Sequence, residues 1–178
     1  MISNQRTSDS ERLSLASDIL LAPAQLGTDQ LQSLLGGKLA GRADYADVYF
    51  QHSRHEAWIL EDGLVRDASF NLERGAGVRL VSGDKTGFAY SDDISLDALT
   101  QAGSAAAAIG RQGKDQSVRI GAAKTMPARY PALDPLPGWS SEMKVALLQE
   151  MDRLARSLDP AVKEVTVSLS GEQDVVLV

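Results

Sequence analysis

Residues 44–93 read DYADVYFQHSRHEAWILEDGLVRDASFNLERGAGVRLVSGDKTGFAYSDD and hold the densest run of strand-forming residues in the chain. Valine, isoleucine and aromatic residues recur between short groups of turn residues, which is typical of β-strands joined by tight turns. The pattern predicts an antiparallel meander. Its five candidate strands are Asp47–Ser53, Glu56–Glu61, Leu64–Leu72, Gly77–Ser82 and Lys85–Ser91.

Three groups of residues mark the predicted turns. Asp62-Gly63 is a pair that tolerates the positive φ values of a two-residue hairpin turn, and Ser82-Gly83-Asp84 repeats this chemistry one hairpin later. Gly75 and Gly77 indicate a bulge or a tight corner before the fourth strand.

Alternation within Leu64–Leu72 predicts a sheet with one dry face and one wet face. A sheet with one apolar face must be covered, and the cover must come from helices elsewhere in the chain. The expected fold class is therefore α+β, a mostly antiparallel meander covered by helices in two layers. The residues expected on the dry face are Val48, Phe50, Ile59, Val78, Leu80, Phe88 and Tyr90.

The residues before the meander predict helices, so we divide the chain into an N-terminal helical segment, 1–43, and an α+β domain, 44–178. Ser8 and Glu11 have the spacing of a capping box at a helix start. A second short helix is expected from Thr28, weakened by Gly36-Gly37. Its apolar face would consist of Leu31, Leu34, Leu35 and Leu39.

Two further helices are expected after the meander. Ser95 is a good N-cap for a helix that ends at Gly110 and covers the sheet. Ser140 or Ser141 begins a second helix, which Asp159-Pro160 ends. The side of this helix that is expected to be apolar carries Met143, Leu147, Met151, Leu154 and Leu158.

Between these helices, residues 111–139 contain four prolines and no periodic pattern. A loop of this length in a compact domain is unusual, and we interpret it as a strap across the fold or a partner-contacting arm. Two strands, Val162–Ser170 and Asp174–Val178, are expected to follow, with a turn at Gly171. Because the sequence stops within an apolar strand, we expect the native protein to continue past Val178.

Composition excludes several classes of protein. The net charge of −6 argues against nucleic acid as a partner, because nucleic-acid binders carry a basic surface. The chain has no cysteine and therefore no disulfides, and no apolar run is long enough for a membrane span or signal peptide. We expect a cytoplasmic protein that does not bind membranes.

The chemistry-bearing residues form no complete catalytic motif. His52 and His55 could hold a metal ion with Glu56 if they lay on a helix, but on a strand they point to opposite faces, which favours a surface or hairpin-corner role. Glu61 and Asp62 are more typical of solvated turn residues than of a general acid and base. We predict no catalytic or metal-binding residue in this chain.

Many residues of the meander resemble the N-terminal domain of the TldD/PmbA family, and the TldD member more than the PmbA member. The run Lys85–Tyr90 is the most specific part, and the similarity covers nearly all of residues 44–178. The matching residues are Asp44-Tyr45, Asp47, Tyr49-Phe50-Gln51, His55-Glu56, Trp58, Leu60-Glu61-Asp62, Gly75, Gly77-Val78-Arg79, Ser82-Gly83, Lys85–Tyr90, Asp134-Pro135-Leu136, Glu164-Val165-Thr166 and Ser168–Gly171.

This resemblance implies a cytoplasmic zinc metallopeptidase, also described as a modulator of DNA gyrase, that processes unfolded peptides such as bacteriocin precursors and antitoxins. It also implies a heterodimer with a PmbA/TldE-like partner subunit. The family's zinc site, H-E-x-x-x-H with a further cysteine, lies C-terminal to the similar region, and neither part is present here. The resemblance therefore implies zinc in the full-length protein, none bound by this chain, and an inactive fragment.

We expect this domain to help enclose the substrate and to take part in the dimer contact. Free sheet edges can bind an extended peptide as an added strand. The candidate peptide or partner contacts are His55, Glu56, Trp58, Val175 and Leu177. Two alternatives stay open: a stand-alone peptide- or partner-binding scaffold domain with no enzymatic role, and a small metalloprotein that uses His52 and His55.

Overall fold

The computed structural model describes residues 8–39, 43–109 and 133–178. These residues contain four α-helices and one four-stranded sheet, so the fold class is α+β as predicted. Two compact units share them. The first consists of the described residues up to His52, of Glu73 to residue 109 and of Val175–Val178, and the second consists of Ser53–Leu72 and Leu133–Asp174. The predicted division at residue 43 stays a prediction.

The N-terminal helices follow the predicted capping and spacing. Helix α1 spans Asp9–Leu20, and Ser8 and Glu11 form the predicted capping box. Helix α2 spans Thr28–Ser33 and continues as a π-helical turn, Leu34–Lys38. The apolar face predicted for this region is buried or half-buried in the first unit.

The meander has fewer and longer strands than predicted. Strand β1 spans Tyr45–Glu61 and strand β2 spans Leu64–Ser82, so each merges two candidate strands. The predicted hairpin turn is present, with positive φ at Asp62 (48°) and Gly63 (79°). The break predicted between Ser53 and Glu56 is wrong, because β1 continues through these residues as one strand and Ser53 alone, without glycine, proline, asparagine or aspartate beside it, does not end it.

Gly75 and Gly77 do not form the tight corner that we predicted as one alternative, because β2 runs through both, and the other alternative, a bulge, stays a prediction. Neither has a positive φ, and both lie within β2. A Cβ at Gly75 would lie 2.8 Å from the backbone oxygen of Ser91, and one at Gly77 would lie 2.7 Å from the ring of Phe88. These glycines therefore allow close approach of the neighbouring chain.

Strand β3 spans Lys85–Ser91, as predicted, and pairs antiparallel with Ala76–Ser82 of β2. Helix α3, Leu96–Ile109, packs on β3, and Ser95 caps its first turn by accepting a hydrogen bond from the Ala98 N–H (3.2 Å). The helix backbone comes so close that a Cβ on Gly87 would lie 2.0 Å from the Ala106 oxygen.

This close approach reverses the predicted faces of β3. Phe88 and Tyr90 were expected on the dry face, but both are exposed, whereas Gly87 is buried and Ala89 packs against the core. The prediction for Ile59 is also wrong, because Ile59 is half-buried and its neighbour Leu60 is fully buried. The other four predicted dry-face residues, Val48, Phe50, Val78 and Leu80, are buried.

Strand β4 spans Thr166–Leu177 and completes the sheet in the order β3-β2-β1-β4. It runs antiparallel to β1, since Ser53 bonds to Asp174, Arg54 to Gln173 and Asp62 to Val165. The turn predicted at Gly171 is wrong. Gly171 lies within the strand, where a Cβ would come 2.9 Å from Leu136.

Helix α4 spans Ser141–Leu158, and Ser140 accepts a hydrogen bond from the Met143 N–H (3.3 Å) as its N-cap. Its buried residues are Lys144, Leu148 and Asp152, spaced four apart on one face. The face predicted to be apolar is half-buried at Leu147 and exposed at its other four residues. Of the predicted strap, residues 111–132 lie outside the described residues.

Candidate functional site

The middle of β1 carries a polar row that faces α4 within the second unit. The Lys144 ammonium lies 2.6 Å from a carboxylate oxygen of Glu56 and donates a second hydrogen bond to the Leu136 carbonyl oxygen (3.2 Å). Both side chains of the ion pair are largely shielded from water. A shielded charge pair of this kind needs its full set of hydrogen-bond partners to be tolerated. This network therefore ties β1, α4 and the segment around Leu136 together.

Arg54 extends the polar row toward β4. Its guanidinium forms an ion pair with Asp134 and donates to the Gln173 side chain. The Leu136 N–H in turn donates to Asp134 (3.0 Å). Two independent anchors, Asp134 and the Leu136 carbonyl, thus hold the segment 133–138 in place.

Three of the predicted contact residues lie on this part of β1. Glu56 is engaged by Lys144, and Trp58 packs against the small core of Leu60, Leu148 and Val167. The Trp58 indole N–H is buried without an acceptor among the described residues. His55 is half-buried within the strand rather than at a hairpin corner, because no turn occurs there.

The other two predicted contact residues belong to the first unit. Val175 is buried in its core and Leu177 packs against that core. Their neighbours Val176 and Val178 are exposed. β4 is an edge strand of the sheet, so a partner at this edge would meet its backbone and the exposed valines before it meets Val175 or Leu177.

Hydrogen bonds to a charged carboxylate hold the hairpin turn between β1 and β2 in place. The Asp62 carboxylate accepts a hydrogen bond from the Val165 N–H (3.1 Å) and another from Arg156 (2.5 Å). The Val165 N–H above all, and then the Arg156 guanidinium, lower the pKa of Asp62 below its ordinary value. Arg156 also pairs with Asp152 (3.2 Å), which draws the end of α4 to the turn. Asp62 thus has a structural role beyond that of the solvated turn residue that we predicted.

Beyond this turn, β2 has an open edge, which we define as Leu64–Leu72. Strand β3 pairs only with Ala76–Ser82, so on that side no described strand bonds to Leu64–Leu72. Its residues are exposed except for the half-buried Ser69. Four of them are large and apolar, namely Leu64, Val65, Phe70 and Leu72.

The open edge has the properties of a strand-addition site. A row of unpaired backbone N–H and C=O groups can pair with another extended chain, and apolar side chains beside it add contact area. The alternation of Leu64–Leu72 predicts a strand with one buried face, whereas the structure exposes both faces of this segment except at the half-buried Ser69. Which segment of a strand lacks a neighbour depends on the register of β3, and the local sequence does not show that register.

The described residues form no candidate metal-binding site. Within 8–39, 43–109 and 133–178, histidine, aspartate and glutamate side chains form no group of three that could hold one. None of the described helices has both the length and the apolar composition that a membrane crossing requires.

Comparisons with known proteins place the fold in one class. Residues 46–110 match the first domain of PmbA/TldA metallopeptidases. The fold is similar to that of a Bacteroides thetaiotaomicron protein described as a modulator of DNA gyrase, with a TM-score of 0.60 at 14% identity over 82% of this chain and 34% of that chain. It is also similar to TldE from Thermococcus kodakarensis, with a TM-score of 0.53 at 18% identity over 83% of this chain and 34% of that chain.

Sequence relatives agree with this class. The chain is 40% identical over 168 residues to a metalloprotease TldD homolog of Haemophilus influenzae, and 38% identical over 161 residues to one of Buchnera aphidicola. These alignments cover 93% and 90% of this chain, but only 35% and 31% of the relatives. The chain belongs to the TldD/PmbA family and corresponds to its N-terminal domain. It spans about a third of the length of these curated relatives.

Proposed function

We propose that this chain is the non-catalytic N-terminal domain of a TldD-like cytoplasmic zinc metallopeptidase that processes unfolded peptides. Support comes from relatives that are named metalloproteases. The sequence has two histidines, no cysteine and no H-E-x-x-x-H motif, so the zinc would be held by residues outside this chain.

In this proposal the domain helps to enclose the substrate by binding an extended peptide along the open edge of β2. The observation that carries it is that no described strand bonds to Leu64–Leu72 on the side away from β1, together with the exposed apolar side chains there. Backbone pairing selects a peptide by its extended conformation rather than by its amino-acid sequence. A peptidase that accepts only unfolded chains would gain that selectivity from such an edge.

We also propose that the domain contributes to a heterodimer with a PmbA/TldE-like subunit. The fold similarity to TldE supports a partner built on the same architecture. Contact through the exposed edge of β4 would bring the predicted residues Val175 and Leu177 close to the partner, with Val176 and Val178 in direct reach.

The test is a proline placed in the open edge. A two-residue turn makes its flanking residues, Glu61 and Leu64, a hydrogen-bonded pair, so the N–H of Asp67 points away from β1. Proline at an edge position with an outward N–H removes a peptide-binding donor while the strand is retained. Asp67→Pro is therefore the blocking variant. The matched control is Asp67→Ala, which keeps the N–H.

The measurement is fluorescence anisotropy of a labelled peptide of alternating valine and threonine residues with a lysine at each end. We expect Asp67→Pro to weaken binding about tenfold and Asp67→Ala to bind like the wild-type chain. Far-ultraviolet circular dichroism checks that both variants are folded. Equal binding by Asp67→Pro and wild type, or no binding by the wild-type chain, would refute strand addition at this edge.

A further inference from the structure

The open edge of β2 has two faces, and one ion pair shows which residues lie on each. Leu60 packs with Leu148 of α4, so its neighbour Glu61 lies on the opposite face of β1, because side chains alternate along a strand. Arg66 forms an ion pair with Glu61 (3.2 Å) and therefore lies on the same face, away from α4. Alternation along β2 then assigns every other residue of the open edge to a face.

The face away from α4 is mainly apolar along the open edge. It carries Leu64, Phe70 and Leu72, each with more than half of its surface exposed, and the small residue Ala68. Its charged residue, Arg66, is already paired. An extended chain bonded to this edge would cover these side chains with every second one of its own, since cross-strand neighbours share a face. Apolar residues at alternate positions would therefore bind best on this face.

The face on the α4 side is mainly polar. After Val65, which lies next to the turn, it carries Asp67, Ser69 and Asn71. An apolar side chain placed here would cover polar groups without bonding to them, which costs free energy, whereas a polar one can bond to them or stay in water. Because Asp67 makes this face acidic, a basic residue beside it is favoured over an acidic one.

We infer that the open edge of β2 selects extended peptides in which apolar residues alternate with polar residues that are neutral or basic. This preference rests on the proposed function and names the class of substrate for that site. Backbone pairing supplies affinity for any extended chain, and the alternate side chains supply the choice among such chains.

The test compares two labelled peptides by fluorescence anisotropy with the full 178-residue chain. One peptide alternates valine and threonine with a lysine at each end. The other has the same composition, with all its valines before its threonines. The two match in charge and in average β-propensity, so only the order of the side chains differs. We expect the alternating peptide to bind about tenfold more tightly.

Variants of the chain assign this preference to the apolar face. Phe70→Thr/Leu72→Thr replaces two exposed side chains by a residue that suits a strand, and the two peptides should then bind within about twofold of each other. The matched control is Asn71→Thr, which introduces the same residue between these positions on the other face. It should keep the difference of about tenfold.

Charge on the polar face gives a second readout. With lysine in place of the central threonine, the alternating peptide should bind about threefold more tightly than with glutamate there. Asp67→Asn keeps the backbone N–H and should remove this difference. A lysine peptide that binds no better than the glutamate peptide overturns the preference for basic residues.

The failure of this preference can be distinguished from the failure of strand addition. If Asp67→Pro weakens both the alternating peptide and its isomer but the wild-type chain binds the two equally, strand addition stands and the preference is overturned. A difference that survives Phe70→Thr/Leu72→Thr also overturns it. If the wild-type chain binds neither peptide, the proposed function fails and the preference falls with it.

Discussion

The Lys144 ammonium lies 2.6 Å from the Glu56 carboxylate, and both side chains are largely shielded from water. The two residues come from α4 and from β1, far apart in sequence but within one compact unit. The ion pair therefore forms only when α4 packs on β1. It also explains why a lysine occupies the face of α4 that packs inward.

Lys144→Met should destabilise the chain strongly. The change leaves the Glu56 carboxylate shielded and unpaired, and losing one partner of such a pair costs about 3 kcal/mol. The free energy of unfolding from urea titration measures it. The double variant Lys144→Met/Glu56→Leu should recover much of the loss, because no unpaired charge remains.

A surface ion pair in the same unit gives the control. Arg66 and Glu61 are 3.2 Å apart but both exposed, so Arg66→Ala should cost less than about 1 kcal/mol. If Lys144→Met cost no more than Arg66→Ala, the shielded pair would contribute nothing specific to stability.

The Asp62 carboxylate should make stability depend on pH in the acid range. Its folded pKa lies below the ordinary value of 3.8, first because of the Val165 N–H and then because of Arg156. A group with a depressed folded pKa binds fewer protons in the folded state. Its contribution is therefore complete above the unfolded pKa and is lost as the pH falls through the folded pKa.

Asp62→Asn removes this titration while keeping a residue that tolerates positive φ. We expect the difference in free energy of unfolding between wild type and Asp62→Asn to be constant near neutral pH and to shrink as the pH falls below about 3.8. Urea titrations across that range measure it. A difference that stayed unchanged down to the most acid pH would mean that the carboxylate's charge does not contribute.

Sequence patterns predicted the elements more accurately than their faces. The Ser8 capping box, the Asp62-Gly63 turn and the Ser140 cap can each be predicted from neighbouring residues alone, and the structure confirms all three. The faces of β3 and α4 depend on what packs against them. Helix α3 approaches β3 closely at Gly87. The face of α4 that packs inward carries Lys144 because the Glu56 carboxylate forms an ion pair with its ammonium group. Such long-range partners leave no periodic signal.

The candidate site shows the same limit. Alternation identified Leu64–Leu72 as a strand, but only the register of β3 leaves its edge open. Ile59 and Leu60 are equally apolar neighbours on β1, so composition could not say which one enters the core. The packing of Leu148 and Val167 on Leu60 decides between them.

Truncation of these two neighbours should therefore give unequal costs. Leu60→Ala should lower the free energy of unfolding by about 3 kcal/mol, because it leaves a cavity beside Leu148. Ile59→Ala removes a half-buried side chain and should cost clearly less. Thermal or urea unfolding of both variants measures the difference. Equal costs would contradict the assignment of Leu60 to the core.

Alanine at Gly87 and at Gly171 should separate two kinds of close approach. At Gly87 a Cβ would lie 2.0 Å from the backbone oxygen of Ala106, so α3 must move away from β3, and we expect a loss of about 3 kcal/mol. At Gly171 the nearest atom is a terminal methyl of Leu136, 2.9 Å away, and a side chain can rotate. We expect a loss below about 1.5 kcal/mol there.

Gly138→Ala, whose Cβ would have an ordinary 3.6 Å contact, is the control in the same urea titrations. Should Gly87→Ala be as stable as Gly138→Ala, the close packing of α3 on β3 would be wrong.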